Sequence, residues 1–168
     1  MLSPVVSEEC RKRGICTTVE NYPTELAKRL IQELKDKDAK FPSDAEQDMI
    51  LNDDKPQVCS RLGPNPTLPL CNSIRRIEVI TAAVSRNKTW NYILNDVDKP
   101  IQTVAVERCV SEGSRCSNNI QFMANYECVC VQRWSLKKMY YIDENENLVK
   151  DFFKVPTCCS CKLHPINK

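Results

Sequence analysis

The sequence is poor in histidine, glycine and tryptophan: among 168 residues it has one, three and two of them. It also lacks an apolar run long enough to span a membrane. The lone imidazole, His164, stands close to the C-terminal end, so no Cys–His nucleophile is indicated. No phosphate-binding glycine loop and no dense basic stripe is present. These absences predict a protein that is not an enzyme, needs no cofactor, binds no nucleic acid and does not insert into membranes.

Cysteine, in contrast, is abundant: the chain has eleven, and seven lie in the last sixty residues. Such a density is typical of secreted proteins held together by disulfides. Zinc sites usually space their cysteines by roughly two to four residues and often add histidine, whereas Cys159 and Cys161 are separated by one residue. We therefore expect disulfides rather than a metal site. We also expect a secreted protein whose signal peptide, absent from this sequence, has been removed.

The cysteines at the C-terminal end have the spacing of a cystine knot. Cys158, Cys159 and Cys161 fall within four residues, so they cannot all pair with one another. If Cys109 pairs with Cys159 and Cys116 with Cys161, the two bridges close a ring of eleven residues.

A third bridge would start at Cys71 and pass through that ring. Its partner is either Cys128 or Cys130, because residues two apart on a strand point the same way. Gly113 lies where the ring must turn tightly.

Most of the chain after Cys71 predicts β-strands, because β-branched and aromatic residues recur between turn signals. A polar turn at 143–147 predicts a long antiparallel hairpin. The expected strands are 74–80, 92–94, 101–106, 126–134, 139–142 and 148–155. The predicted fold is mostly β: a cystine knot of elongated antiparallel hairpins.

The N-terminal part differs in composition. Residues 1–61 carry a net charge of −2 and residues 62–168 a net charge of +4. We predict a prosegment over 1–61, partly helical or disordered, and a cystine-knot domain over 62–168. A helix is expected at about 24–37, with Thr24 as its N-cap. Its apolar face either docks on the C-terminal module or belongs to a marginal helix, and the pattern leaves both open; the face comprises Leu26, Leu30, Ile31 and Leu34.

A cleavage site is predicted between Arg61 and Leu62. A proline-rich stretch follows directly, and extended exposed segments of this kind are accessible to proteases. The basic cluster 11–13 is a second candidate, although a solvated charge run explains it better.

Several motifs are similar to one family. They are 71–76 (CNSIRR), Thr89-Trp90, 107–109 (ERC) and 153–161 (FKVPTCCSC). From Cys71 onward the chain resembles the Spaetzle family, insect neurotrophin-like cystine-knot ligands of Toll receptors. The resemblance implies a secreted, dimeric, cytokine-like ligand that an activating serine protease releases at Arg61. The receptor would be a Toll-type leucine-rich-repeat ectodomain, and the role immune or developmental.

The resemblance also implies roles for individual cysteines. Cys158 would bridge two protomers of a homodimer. The knot disulfides would be Cys71–Cys130, Cys109–Cys159 and Cys116–Cys161.

Four cysteines depart from the family pattern: Cys10, Cys16, Cys59 and Cys128. Cys10 and Cys16 are close enough in sequence to close a small loop. Cys59 and Cys128 would join the prosegment to the knot, so that the two pieces stay attached after cleavage.

Three further residues are candidate surface sites. Asn87 begins an Asn-Lys-Thr glycosylation sequon. Trp90 and Tyr92 stand in a polar stretch and are either receptor contacts or packing residues beside the knot. An alternative function is that of a coagulogen-like clotting or structural protein, which polymerises after cleavage. A knot-type antagonist of another growth factor is a third possibility.

Overall fold

The structure is a computed structural model in which residues 2–41, 69–117 and 125–166 are described. None of the described helices is long and apolar enough to cross a membrane. The helices and strands are α1 (Glu8–Arg13), β1 (Ile15–Cys16), α2 (Thr24–Asp36), β2 (Ser73–Glu78), β3 (Ala82–Val84), β4 (Trp90–Ile93), β5 (Val104–Cys109), β6 (Tyr126–Ile142) and β7 (Leu148–Pro165).

The chain divides into two compact units. Unit 1 comprises Met1–Ile50, Ile77–Ala105 and Ser135–Val155, and unit 2 comprises Leu51–Arg76, Val106–Trp134 and Pro156–Lys168. The two long strands β6 and β7 contribute residues to both.

In unit 1 the strand order is β1-β3-β4-β6-β7. The N-terminal strand β1 pairs antiparallel with β3, with Ile15 opposite Ala83. Strand β3 pairs antiparallel with β4, with Ala82 opposite Tyr92. The N-terminal part of the chain therefore contributes a strand to the sheet formed by the later residues. The sequence pattern did not predict β1 or β3, because two or three residues are too few to establish an alternation.

Helix α1 is short and is defined by its two ends. The Ser7 hydroxyl accepts a hydrogen bond from the Cys10 N–H (3.2 Å), and Gly14 ends the helix with a φ of 71°. This left-handed conformation costs glycine little and other residues more. A disulfide between Cys10 and Cys16 then ties the helix to β1.

Helix α2 occupies the stretch where the apolar spacing predicted a helix. Its buried residues are spaced by three and four, as expected for one helical face; they are Ala27, Leu30, Ile31 and Leu34. The prediction of Thr24 as N-cap is wrong. Pro23 is the cap, and no side chain donates or accepts a capping bond there.

Strands β6 and β7 form the predicted hairpin around a turn at 143–147. The Asp143 N–H donates to the Asn147 carbonyl oxygen (2.9 Å), and a side-chain oxygen of Asp143 accepts from the Asn147 N–H (2.7 Å). The break expected between 134 and 139 does not occur, since that segment contains neither glycine nor proline to end a strand.

In unit 2 the strand order is β6-β7-β5-β2. Strands β5 and β7 are parallel, with Glu107 opposite Thr157. A cluster of buried cysteines forms the interior of this unit, and Cys71, Cys116, Cys128, Cys130 and Cys159 are its buried members. The mostly β fold class, with disulfides consistent with a cystine knot, is confirmed.

Candidate functional sites: a covered sheet face and a disulfide cluster

The N-terminal segment covers one face of the sheet in unit 1, which we call the covered face. It is defined by the side chains of Ala82, Tyr92, Leu94, Tyr140 and Ile142, all at most 8% exposed. The apolar side of α2 packs into the same cluster. The helix therefore docks on the sheet, and the alternative of a marginal isolated helix is ruled out.

Tyr92 lies at the centre of this contact. Its hydroxyl oxygen is 2.8 Å from the Ser3 carbonyl oxygen and 3.1 Å from that of Asn21. Its ring meets the ring of Tyr22 edge-on, with 5.9 Å between centroids. Both polar partners belong to the N-terminal segment, so Tyr92 joins the segment to the sheet.

Tyr22 makes the reciprocal contact from the segment to the sheet. Its hydroxyl accepts a hydrogen bond from the Asn95 N–H (2.8 Å) and lies 2.8 Å from the Asn95 carbonyl oxygen. Burial raises the pKa of Tyr22 to about 12. The phenol is therefore neutral at any physiological pH.

In the uncleaved chain these contacts leave Tyr92 no surface for a receptor, so its role as a receptor contact stays a prediction. Its side chain is 1% exposed in this form of the chain. Trp90 is partly buried and packs against the same cluster. The packing alternative fits both residues, because the N-terminal segment supplies the apolar surface that a small knot lacks.

Two buried amides support the covered face from within. The Asn95 side chain donates to the carbonyl oxygens of Ile80 (2.9 Å) and Gln102 (3.0 Å). The Gln102 side chain donates to the carbonyl oxygen of Tyr140 (3.0 Å) and accepts from its N–H (2.8 Å). Because buried amides are costly when unpaired, these bonds fix the loop 95–102 against the sheet.

In unit 2 the structure contains two of the three knot pairs that the resemblance implied. They are Cys71–Cys130, with Cα atoms 5.5 Å apart, and Cys109–Cys159, with Cα atoms 4.9 Å apart. Gln132 braces them: its side-chain oxygen accepts from the Cys109 N–H (2.9 Å), and its amide nitrogen donates to the Cys158 carbonyl oxygen (3.1 Å).

The third pair differs from the expectation. Cys116 is bonded to Cys128 rather than to Cys161, which remains an exposed thiol. The local backbone explains the difference. The Cys116 N–H donates to the Cys128 carbonyl oxygen at 2.8 Å, and the two Cα atoms are 5.2 Å apart. This separation suits a disulfide.

The other predicted disulfides are found only in part. The small loop Cys10–Cys16 is present. Cys128 cannot pair with Cys59 here, because Cys116 occupies it. Cys59 itself lies outside the described residues. Cys158 is disulfide-bonded within the single chain, so in this form it has no thiol to offer a second protomer.

Among the described residues, two groups of three cysteine sulfurs have the proximity of metal ligands, with the sulfurs of each group within 4.8 Å of one another. Each group, however, contains a disulfide: Cys71–Cys130 in one and Cys116–Cys128 in the other. Metal binding needs thiolates. In this oxidised form the arrangement suits disulfide chemistry rather than a metal.

The predicted modification sites differ in how far the structure describes them. Asn87 is exposed at a turn where Lys88 has a φ of 60°. The predicted cleavage residues Arg61 and Leu62 lie outside the described residues. The competing basic cluster 11–13 lies on α1, where Lys12 and Arg13 pair with Glu8 and Glu9.

One exposed aromatic site was not predicted from the sequence. Phe152 is 39% exposed on β7. The Arg86 guanidinium carbon and the Lys138 ammonium nitrogen lie 5.8 and 5.7 Å from its ring centroid. Aromatic and arginine side chains are frequent binding hot spots. Lys138 and Phe152 lie on the two strands of the hairpin, and the bridge between Ser85 and Phe153 brings Arg86 next to them. No local sequence motif therefore indicates this site.

Comparison with known proteins points to one family. The sequence model of the Spaetzle family matches residues 68–163. The chain is 30% identical over 165 residues to Protein spaetzle of Drosophila melanogaster, covering 96% of this chain and 47% of that protein. It is 33% identical over 94 residues to Neurotrophin 1 of the same organism, covering 56% of this chain and 10% of that protein. The chain thus spans about half, or much less, of the length of these relatives.

A crystal structure of the spatzle cystine knot is 25% identical, with a TM-score of 0.35. The match covers 59% of this chain and 96% of that one.

Proposed function

The chain belongs to the Spaetzle family, and from this premise we propose that it is the precursor of a secreted, non-enzymatic signalling ligand. In this proposal a serine protease cuts after Arg61. The C-terminal module, 62–168, then binds a Toll-type leucine-rich-repeat receptor as a disulfide-linked homodimer.

The observation that carries the proposal is the covered face. In the uncleaved chain, α2 and the residues before it bury Tyr92 and its apolar neighbours. Each buried aliphatic side chain of the helix contributes roughly 1.5–3 kcal/mol to docking by area burial. A segment held in this way keeps the sheet face from any partner. Cleavage of the backbone after Arg61, which loosens the hold of the segment on the sheet, is then a natural activating step.

The exposed cation–aromatic site supports a binding role for the part of the module that is accessible before cleavage. Phe152 with Arg86 and Lys138 presents an apolar ring close to two positive charges. Such a site suits a receptor surface that offers carboxylates around an apolar depression.

The proposed dimer requires one cysteine per protomer. Cys158 serves only after its present disulfide is exchanged, whereas the exposed Cys161 thiol needs no such step. Comparing Cys158→Ser with Cys161→Ser on non-reducing gels identifies the linking residue, since only the variant lacking it runs as a monomer.

Controlled cleavage followed by receptor binding tests the proposal. The chain is treated with a trypsin-like protease, and its affinity for a Toll-type ectodomain is measured beside an Arg61→Gln control. We expect strong binding only for the cleaved protein, with N-terminal sequencing that begins at Leu62. Size-exclusion chromatography should give a discrete dimer.

A second variant pair tests the role of the covered face without cleavage. Leu30→Ala weakens the helix contact, and we expect it to raise the affinity of the uncleaved chain for the receptor. Lys35→Ala, on the exposed side of the same helix, should leave it unchanged. Large polymers after cleavage would favour the clotting alternative, and equal receptor binding before and after cleavage would contradict the proposal.

A further inference from the structure

Cys116, Cys128 and Cys161 form a group in which a free thiol stands beside a disulfide. Their three sulfur atoms all lie within 4.8 Å of one another. Cys116 and Cys128 are bonded, and Cys161 is the thiol. The proximity exists because the strand carrying Cys128 and the end of the strand carrying Cys161 meet at the same point of unit 2.

We propose that these three cysteines form an internal thiol–disulfide exchange site. The Cys161 thiolate attacks the sulfur of Cys116. The Cys116–Cys161 bond forms as the Cys116–Cys128 bond breaks, and Cys128 leaves as a thiolate that takes up the proton lost by Cys161. One disulfide and one thiol are present before and after, so the step needs neither oxidant nor reductant.

The exchange changes the covalent topology of the unit. Before it, the eleven-residue ring is open, because Cys116 is bonded to Cys128 and not to Cys161. After it, the bonds Cys109–Cys159 and Cys116–Cys161 close a ring from the segments 109–116 and 159–161. The Cys71 and Cys116 sulfurs are already 3.3 Å apart, so the third bridge lies against the bond that closes this ring.

The exchange also moves the odd thiol from the surface to the interior. Cys161 is exposed, whereas Cys128 is 4% exposed. In the first form a second copy of the chain can reach the thiol and form a bond between protomers. In the second form it cannot. Ring closure and covalent linkage through Cys161 are therefore mutually exclusive.

The rate should depend on pH, because the attacking species is the thiolate. Partial burial raises the pKa of the Cys161 thiol, against the opposing effect of a backbone hydrogen bond at Cys71. Exchange is therefore slow at neutral pH. Its rate rises about tenfold for each unit of increase in pH until the pH reaches that pKa. A chain kept mildly acidic should retain the pairing found here.

Mapping of the thiol over time tests this inference. The oxidised full chain is held at mildly alkaline pH without added thiol, and samples are acidified, denatured and labelled with N-ethylmaleimide. Fragmentation mass spectrometry then locates the label. We expect it to begin on Cys161 and to appear on Cys128 with time, at a rate that rises with pH. The Cys10–Cys16 pair should remain unlabelled and serves as an internal control.

Two variants fix the pairing at each end of the exchange. In Cys128→Ser the two remaining cysteines of the group should form Cys116–Cys161, and neither should take up label. In Cys161→Ser they should form Cys116–Cys128, and again neither should be labelled. A label that stays on Cys161 alone at every time and pH overturns the proposal, even if a variant fails to fold. A label on Cys116 in the wild-type chain would mean that Cys161 attacks the sulfur of Cys128 instead. A labelled Cys116 in folded Cys128→Ser would mean that Cys116 and Cys161 do not bond, which contradicts the proposed exchange site.

Discussion

The hydroxyl of Tyr92 donates a hydrogen bond of 2.8 Å to the carbonyl oxygen of Ser3, across 89 residues of sequence. This bond joins the N-terminal segment to a strand of the later sheet. In the uncleaved chain the Tyr92 hydroxyl therefore has an intramolecular role.

Removing this hydroxyl should loosen the segment. We expect Tyr92→Phe to lower the free energy of unfolding by about 1 kcal/mol, because the ring contact remains while the hydrogen bond is lost. Urea unfolding of the full chain measures the change. Tyr126→Phe is the matched control, since Tyr126 is 46% exposed, and it should differ little from wild type. Equal effects of the two substitutions would show that the Tyr92 hydroxyl adds no stability.

The docking of the segment should weaken at high pH through Tyr22. Its pKa of about 12 in the folded chain exceeds the ordinary value of 10.0. The unfolded chain therefore releases the phenol proton first, and stability falls as pH rises from about 10 to about 12. The loss is on the order of 2 kcal/mol and is complete only above the folded pKa.

Unfolding curves at increasing pH measure this loss, with Cys161 alkylated beforehand to prevent disulfide exchange. Tyr22→Phe should show a smaller decline over the same interval. A decline of the same size in that variant would assign it to another group.

The amide of Gln132 should be important for the stability of unit 2. Gln132→Leu keeps the volume but leaves the Cys109 N–H and the Cys158 carbonyl oxygen without this partner. We expect a loss of about 2 kcal/mol, since buried polar groups without partners are costly. Thermal unfolding measures it. Gln32→Leu on the exposed side of α2 is the control and should stay within about 0.5 kcal/mol of wild type.

The cation–aromatic site should contribute to receptor affinity without contributing much to stability. We expect Phe152→Ala to weaken binding of the cleaved module by about 2 kcal/mol, the scale of a hot-spot residue. Surface plasmon resonance against a Toll-type ectodomain measures the affinity, and a melting curve checks the fold. Leu163→Ala, at a residue 57% exposed in unit 2, is the control. Unchanged affinity for folded Phe152→Ala would remove this site from the interface.

Glycosylation at Asn87 should be visible when the chain passes through a secretory pathway. Asn87 and Thr89 are both exposed, so a transferase can reach the sequon. We expect a glycosidase-sensitive mass increment that Asn87→Gln abolishes and Thr89→Ser retains. An identical mass for wild type and Asn87→Gln would show that the site is unused.

The sequence predicts most of the sheet because the strands of the hairpin carry long runs of β-branched and aromatic residues. It predicts α2 because Leu30, Ile31 and Leu34 follow helical spacing. It does not predict what α2 covers, since that depends on which sheet face is apolar and unoccupied. Tyr22 illustrates the limit: its partner, Asn95, is 73 residues away.

The disulfides, too, could be predicted from the sequence only in part. Spacing and resemblance together give Cys71–Cys130 and Cys109–Cys159. They fail at Cys116 because the sulfurs of several cysteines lie close to it, and it is bonded to Cys128, with which it also shares a backbone hydrogen bond. The sequence gives the number of cysteines, but which of several cysteines pairs with Cys116 depends on their distances in the folded chain.

The strand β1 has a consequence for handling the cleaved protein. Thr81 and Val84 donate their N–H groups to the carbonyl oxygens of Cys16 and Gly14, at 2.8 and 3.1 Å. Departure of the segment would leave β3 as a bare sheet edge with unpaired donors. Such edges recruit strands from other molecules and promote aggregation. The segment therefore protects this edge, and the cleaved module without it should tolerate storage and concentration less well than the intact chain.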